Sequence, residues 1–261
     1  MQDSSPPLLV ESPGVTAAFL ETHRLPSLPS SMYYIPNFLG PNEQSHILTS
    51  LPPTRWTCLS RRRLQAHPSP LSKSGTLLSS PLPPYLSTPI LTRFSDLGIF
   101  KNSPHGNANH CLVNEYEPGQ GIMGHEDGAS YFPCTATVSL GASIVLDVWE
   151  KPSSPDGRGT SIQGSDARAK GRRWRVLQEP GSLLVTTGEV YSSTLHGIAE
   201  VDVDEDLGEE TVANWELLGE GERERIKRVG GRNVREVRTS LTYRDVVKVS
   251  DAGRRILLGR K

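Results

Sequence analysis

After His110 the sequence breaks into short runs rich in Val, Ile, Leu, Thr and Tyr, each bounded by Gly or Pro: HCLVNEYEPG, CTATVSLG, SIVLDVWE, RRWRVLQEPG, SLLVTTGE, LHGIAEVDV and EVRTSLTYRDV. β-Branched and aromatic residues suit a pleated, half-buried surface, and the Gly and Pro punctuation ends each run. Seven such strands predict a mainly β chain built as an antiparallel sandwich or jelly roll. The 24 Gly and 21 Pro among 261 residues agree, because turns between short strands use these residues.

Two stretches predict helix. One starts near Pro41, with Glu43 where the helix dipole favours an acid, and stops before Pro52. The other covers 89–97, with Thr88 as N-cap and Ile90, Leu91, Phe94 and Leu97 on one side. No other stretch makes a good helix candidate. Residues 1–30, rich in Pro and Ser, read as a flexible N-terminal arm, 31–250 as one domain, and 251–261 as a basic tail. Residues 152–171 and 202–221 carry few apolar side chains and read as mobile insertions between strands.

The chain has 28 Lys+Arg against 29 Asp+Glu, which excludes nucleic-acid binding through overall charge. That balance is a cancellation. Residues 44–95 hold six basic and no acidic side chains, 200–220 nine acidic and no basic, and 222–261 thirteen basic against five acidic. Any nucleic-acid contact must therefore be local. Cys58, Cys111 and Cys134 are odd in number and lack pair-like spacing, so no disulfide framework is expected. The first residues show no signal-peptide pattern and no long apolar run occurs, which predicts a reduced, soluble location in cytoplasm or nucleus without membrane contact.

The sharpest chemical feature is His125-Glu126-Asp127 after the turn EPGQGIMG. In an extended chain, residues i and i+2 share a face, so His125 and Asp127 can offer an imidazole nitrogen and a carboxylate to one metal ion. His196 in YSSTLHGIAEV is the candidate third ligand, and the following Gly197 would let another group approach closely. Two histidines and one carboxylate are the donor set of non-haem Fe(II) oxygenases, although a core histidine with a satisfied hydrogen bond reads the same in sequence. In the run 238–244, strand periodicity puts Arg238, Ser240, Thr242 and Arg244 on one face and Thr239, Leu241 and Tyr243 on the other. If the first face looks inward, its guanidinium groups need an anionic partner such as a dicarboxylate; if it looks outward, they are merely solvated. Asn114 and Tyr116 also share a strand face, eleven and nine residues before His125, and can hydrogen-bond a carboxylate.

Taken in order, Asn-x-Tyr, His-x-Asp, His and Arg-x5-Arg resemble the AlkB family of Fe(II)/2-oxoglutarate dioxygenases, and NHCLVNEYEPGQGIMGHEDGASYFPCTATVSLG is most similar to its homologue-six subgroup. The resemblance covers about 32–249 and is strongest over 109–150 and 180–199. It implies a double-stranded β-helix with flanking N-terminal helices, Fe(II) on His125, Asp127 and His196, and O2 and 2-oxoglutarate as cosubstrates. By the same resemblance Arg238 takes the distal carboxylate of 2-oxoglutarate with Tyr116 and Asn114, and Arg244 sits near the end that binds iron. Ser240 stands where the family often has Asn, which puts one hydrogen bond in doubt. Arg238 also lies 42 residues after His196, farther than the family usually allows, and the acidic insertion accounts for the excess. Arg232 and Arg235 are rivals for this role, but only Arg238 has a second Arg six residues on.

The implied activity is oxidative removal of N-alkyl groups from RNA or DNA, with release of succinate, carbon dioxide and formaldehyde. Hydroxylation of a protein or small molecule, or non-catalytic nucleic-acid binding on the same fold, are the alternatives. The segment 55–73 occupies the region where AlkB relatives carry a nucleotide-recognition lid. Its Arg61, Arg62 and Arg63 are candidate backbone contacts, or else a solvated loop. Tyr131 and Phe132 could flank a flipped base, or belong to the core.

Overall fold

In the run 131–140 the small and apolar residues alternate with hydroxyl residues, and the two sets go to opposite sides of a sheet. The computed structural model, which describes residues 13–29, 31–151 and 171–251, contains α1 (Pro13–Thr22), β1 (Met32–Ile35), α2 (Pro41–Ser50), β2 (Thr57–Leu59), β3 (Arg62–His67), β4 (Leu77–Leu78), α3 (Pro84–Ser87), α4 (Ile90–Asp96), β5 (His110–Tyr116), β6 (Ile122–His125), β7 (Tyr131–Leu140) and β8 (Ile144–Glu150). There follow β9 (Arg173–Gln178), β10 (Leu183–Thr187), α5 (Gly188–Ser193), β11 (Thr194–Ile198), β12 (Val203–Asp204), α6 (Glu220–Arg228), β13 (Asn233–Val234), β14 (Arg238–Val246) and β15 (Val249–Ser250).

A seven-stranded sheet runs β1-β10-β7-β14-β5-β3-β2 and a four-stranded sheet β6-β11-β8-β9, with every pairing in both antiparallel. The chain is thus mainly β, with the jelly-roll architecture expected. On the large sheet, Cys111, Val113, Cys134, Ala136, Val138, Leu241 and Tyr243 pack against Ile47, Leu51, Leu86, Ile90 and Phe94 of the N-terminal helices. The opposite face carries the intervening residues of the same strands and looks into a cavity closed by the smaller sheet. Burial of the helix-side face supplies the main apolar stabilisation there, which leaves the second face free to be polar.

The helix expected from Pro41 forms, and the Glu43 carboxylate accepts the Gly40 N–H at 2.9 Å and the Arg93 guanidinium of α4 at 2.7 Å. The second helix forms as α4 but without the expected cap: Thr88 caps the C-terminus of α3, and Pro89 rather than Thr88 precedes α4. Four helices beyond the two expected occur among the described residues. Of these α6 buries only Ile226, so apolar periodicity gives no warning of it; its acidic first turn and basic last turn were the available signal.

The acidic stretch is packed, not the mobile loop its composition predicts: Leu207, Val212, Trp215 and Leu218 are buried in a second core cluster with Val145, Val176 and Leu184. Asn214 bonds both the N–H and the C=O of Leu177, and Glu179 accepts the Gly219 N–H at 2.9 Å. Its acidic composition hides a few apolar anchors, and Asp204 is committed to Arg235 in a fully buried pair at 2.6 Å. Within the stretch read as an arm, α1 is helical and Leu25 and Leu28 are buried, because Arg24 bridges Tyr33 beside β1. The other expected insertion, apart from its last residue, and the basic tail beyond Asp251 lie outside the described residues. Among the described residues no helix is long and apolar enough to cross a membrane.

Candidate active site

His125 ends β6, and His196 lies opposite it on β11, with ring centroids 4.5 Å apart. Gly197 makes this pairing possible: a Cβ there would meet the Ile122 carbonyl oxygen at 2.8 Å and the Gly124 nitrogen at 3.0 Å. His125 Nδ1 donates to the Met123 carbonyl at 2.9 Å, so Nε2 keeps its lone pair. Burial, followed by the neighbouring His125, pushes His196 down to about 4, and burial also lowers His125, so both imidazoles are neutral at pH 7.

Asp127 lines the same cavity. Burial would raise its carboxyl, but Arg244 and then His196 outweigh that and hold it at about 2. One oxygen accepts from Arg244 Nη2 and the other from Thr135 Oγ1 at 2.7 Å. Among the described residues no three His, Cys, Asp or Glu side chains are already drawn into a closed cluster. Two neutral imidazoles and one ionised carboxylate converging on a cavity nevertheless match what a divalent iron requires. The three residues expected from the sequence line one cavity, with His125 and His196 side by side and Asp127 turned toward Arg244.

The cavity, about 290 Å³, is lined on the large-sheet side by Asn114, Tyr116, Arg238, Ser240, Thr242 and Arg244, so the tail strand does turn its arginine face inward. Arg238 is 2% exposed. It donates to Ser139 Oγ at 2.8 Å and Gln178 Oε1 at 3.1 Å, sits 5.9 Å from the centre of the Tyr116 ring, and has no carboxylate partner among the described residues. Burial pushes it down to about 10, still charged at neutral pH. A buried cation with neutral neighbours calls for an external anion. Arg235, the rival, is already spent on Asp204 and on the Ala199 carbonyl.

The three consecutive arginines separate. Arg62 faces the cavity, and its Nε donates to Asn114 Oδ1 at 3.2 Å. Arg61 pairs with Glu200, and Arg63 pairs with Glu115 at 2.6 Å while lying over the Trp56 ring. The aromatics separate too: Tyr131 lines the cavity, while Phe132 packs on the helix-side core. One side of Tyr131 is occupied by Arg244, 4.9 Å from the ring centre, and the His110 ring lies 6.0 Å away at a tilt. Sequence reasoning missed Gln178, Thr135 and Tyr191. Alternation along β7 could have found Thr135; Tyr191 sits in a six-residue helix too short to give a periodic signal.

The 2OG-Fe(II) oxygenase superfamily matches residues 79–244, which hold every cavity group just described except Arg62. A zebrafish (Danio rerio) protein described as probable RNA/DNA demethylase ALKBH6 is 34% identical over 247 residues, 93% of this chain and 96% of its own length. The chain belongs to the AlkB family of the 2OG-Fe(II) oxygenase superfamily. This AlkB-family protein is an Fe(II)/2-oxoglutarate-dependent dioxygenase, and Fe(II), 2-oxoglutarate and O2 are its cofactors. It is also 24% identical, over 94% of its length, to a Xenopus tropicalis protein named tRNA (carboxymethyluridine(34)-5-O)-methyltransferase alkbh8, of which it spans 36%. Among solved structures, OsALKBH1 is 16% identical with a TM-score of 0.47, covering 84% of this chain and 99% of that one.

Proposed function

We propose that this AlkB-family dioxygenase removes N-alkyl groups from nucleic acid, with His125, Asp127 and His196 holding Fe(II), Arg238 anchoring the distal carboxylate of 2-oxoglutarate, and Arg62 meeting the substrate. The observation that carries the reading is the cavity's charge. Arg62, Arg238 and Arg244 face it, and among the described residues its two carboxylates are already engaged, Asp127 by Arg244 and Glu126 by Lys151, which leaves Arg62 and Arg238 without an anion. A dicarboxylate cosubstrate and a phosphodiester substrate together meet that excess. The likeness to a relative named as an RNA/DNA demethylase supports the same substrate class.

When bound, Fe(II) with 2-oxoglutarate and O2 supplies the oxidising power, yielding succinate and carbon dioxide and placing one oxygen atom in a substrate C–H bond. A hydroxylated N-methyl group then breaks its C–N bond to give formaldehyde and an N–H base. The chain's own residues do the positioning. Thr135 and Arg244 fix both oxygens of Asp127 and keep it ionised. Arg238, with Ser139 and Gln178 orienting its fork, would receive a carboxylate, and Tyr116 and Asn114 of the same cavity wall would bond the same cosubstrate. Ser240 shares that wall, and Arg244 lies on the metal side to meet the near carboxylate.

The test is an anaerobic titration with Fe(II) and 2-oxoglutarate, followed by succinate and formaldehyde assays over methylated RNA, methylated DNA and protein extracts. A complex lost in His125→Ala and formaldehyde from a methylated oligonucleotide are expected. Succinate release stimulated by protein and not by nucleic acid would replace the nucleic-acid reading with a protein hydroxylase, and a complex unaffected by His125→Ala would refute the ligand assignment.

A further inference from the structure

Tyr191 lines the cavity, and its hydroxyl is buried without a hydrogen-bond partner. Among the described residues Arg244 Nε is the other buried cavity-lining side-chain atom left so, whereas Asp127 is engaged by Arg244 Nη2 and Thr135, Arg238 by Ser139 and Gln178, and Arg62 by Asn114. Buried hydroxyls are hydrogen-bonded unless something external completes them. The group keeps its proton at neutral pH, because burial raises its pKa above that of a free phenol, and Asp127 adds to the rise. It is therefore a hydroxyl that can donate to a ligand.

Its position is fixed by the metal-ligand segment. Tyr191 sits on α5, whose last turn presents the Ser192 carbonyl to Lys151 Nζ at 2.6 Å, and the same ammonium pairs with Glu126. Glu126 stands between His125 and Asp127 in the chain. Lys151 thus clamps α5 to the His-x-Asp segment, and Tyr191 keeps its place relative to Asp127. At the start of α5, Gly188 takes a φ of +54° beside Ser31, where a Cβ would meet the Ser31 Oγ at 2.7 Å.

We propose that Tyr191 is a specificity-determining residue, its hydroxyl bonding a carbonyl oxygen or ring nitrogen next to the alkylated nitrogen of the target heterocycle. This rests on the demethylase reading. A base carrying such an acceptor completes the hydroxyl, whereas one lacking it leaves a buried donor unpaired and is rejected. The bond also holds the N-alkyl group at the reacting position, so without it the cosubstrate is consumed with less product.

The test compares wild type with Tyr191→Phe on two N-methylated oligonucleotides, one with a ring carbonyl beside the methylated nitrogen and one with hydrogen in its place. For the carbonyl substrate, Tyr191→Phe should lower kcat/KM for formaldehyde by about 10- to 100-fold and raise the ratio of succinate to formaldehyde. For the second substrate the variant should be no slower than wild type, since the unpaired hydroxyl is gone, and anaerobic Fe(II)/2-oxoglutarate titration should not distinguish the two proteins. Lys151→Met should reproduce the raised ratio more weakly. Equal kinetics on the carbonyl substrate, or an equal loss on both substrates, overturns the assignment. If wild type releases formaldehyde from no methylated oligonucleotide, the demethylase reading itself has failed and this inference with it.

Discussion

Arg62 donates from Nε to Asn114 Oδ1 at 3.2 Å across the β3–β5 pairing, which brings one guanidinium of a three-arginine run to the cavity while its two neighbours turn away. Strand alternation dictates this split, and ion pairs with Glu200 and Glu115 engage the outward pair. Arg62→Ala should weaken oligonucleotide binding and lower its salt slope by about 1. Arg61→Ala and Arg63→Ala should change either quantity little. Filter-binding over a salt series measures both, and a loss spread evenly over the three variants would show that the run acts as an exposed patch.

Arg238 is a fully buried cation without a carboxylate partner among the described residues, so its removal should fall on the cosubstrate. Arg238→Lys keeps the charge but loses the planar fork that meets Ser139 and Gln178. Anaerobic titration should show 2-oxoglutarate bound about tenfold more weakly or worse, given what a buried charge-assisted pair contributes, with Fe(II) binding retained. Unchanged 2-oxoglutarate affinity would transfer the anchor to another residue.

Gly197→Ala should drive β6 off β11, since the new methyl would overlap Ile122 and Gly124 backbone atoms. His125 and His196 belong to those two strands, so iron affinity should drop by roughly 10- to 100-fold, as for other losses of ligand orientation. Equilibrium dialysis with Fe(II) checks this; wild-type affinity would mean the strands part without cost.

Asp204→Ala strands Arg235 as a buried charge beside Ala199, and should cost about 3–5 kcal/mol in urea unfolding. Adding Arg235→Met should recover part of that loss. The outcome that counts against a packed insertion is a shift of a few tenths, as expected of an exposed pair.

His67 and His110 are pushed down to about 4, by burial first and then by Arg55 and Arg244 respectively. In the unfolded chain each titrates near 6.5. As pH falls from about 6.5 to about 4, the unfolded chain gains protons that the folded one refuses, so stability declines through that window and the histidine contribution levels off below it. Urea midpoints across the window should follow this course, and constant midpoints would mean that the two histidines titrate normally.

Relations along single strands are legible in the amino-acid pattern alone. A period of two assigned Arg238, Ser240, Thr242 and Arg244 to one face and His125 with Asp127 to another, and the donor chemistry of those residue types followed. It could not say which face was interior, because periodicity is the same seen from either side; only the helices stacked on Leu241 and Tyr243 decided that the arginines look into the cavity. The tertiary structure also decided that the acidic stretch is packed, since Trp215 and Leu218 find their apolar partners far away in the chain. It separated Tyr131 from Phe132 and Arg62 from its neighbours, and it brought in Tyr191. Each of these depends on contacts between segments remote in sequence, where burial and charge pairing, not local pattern, set the outcome.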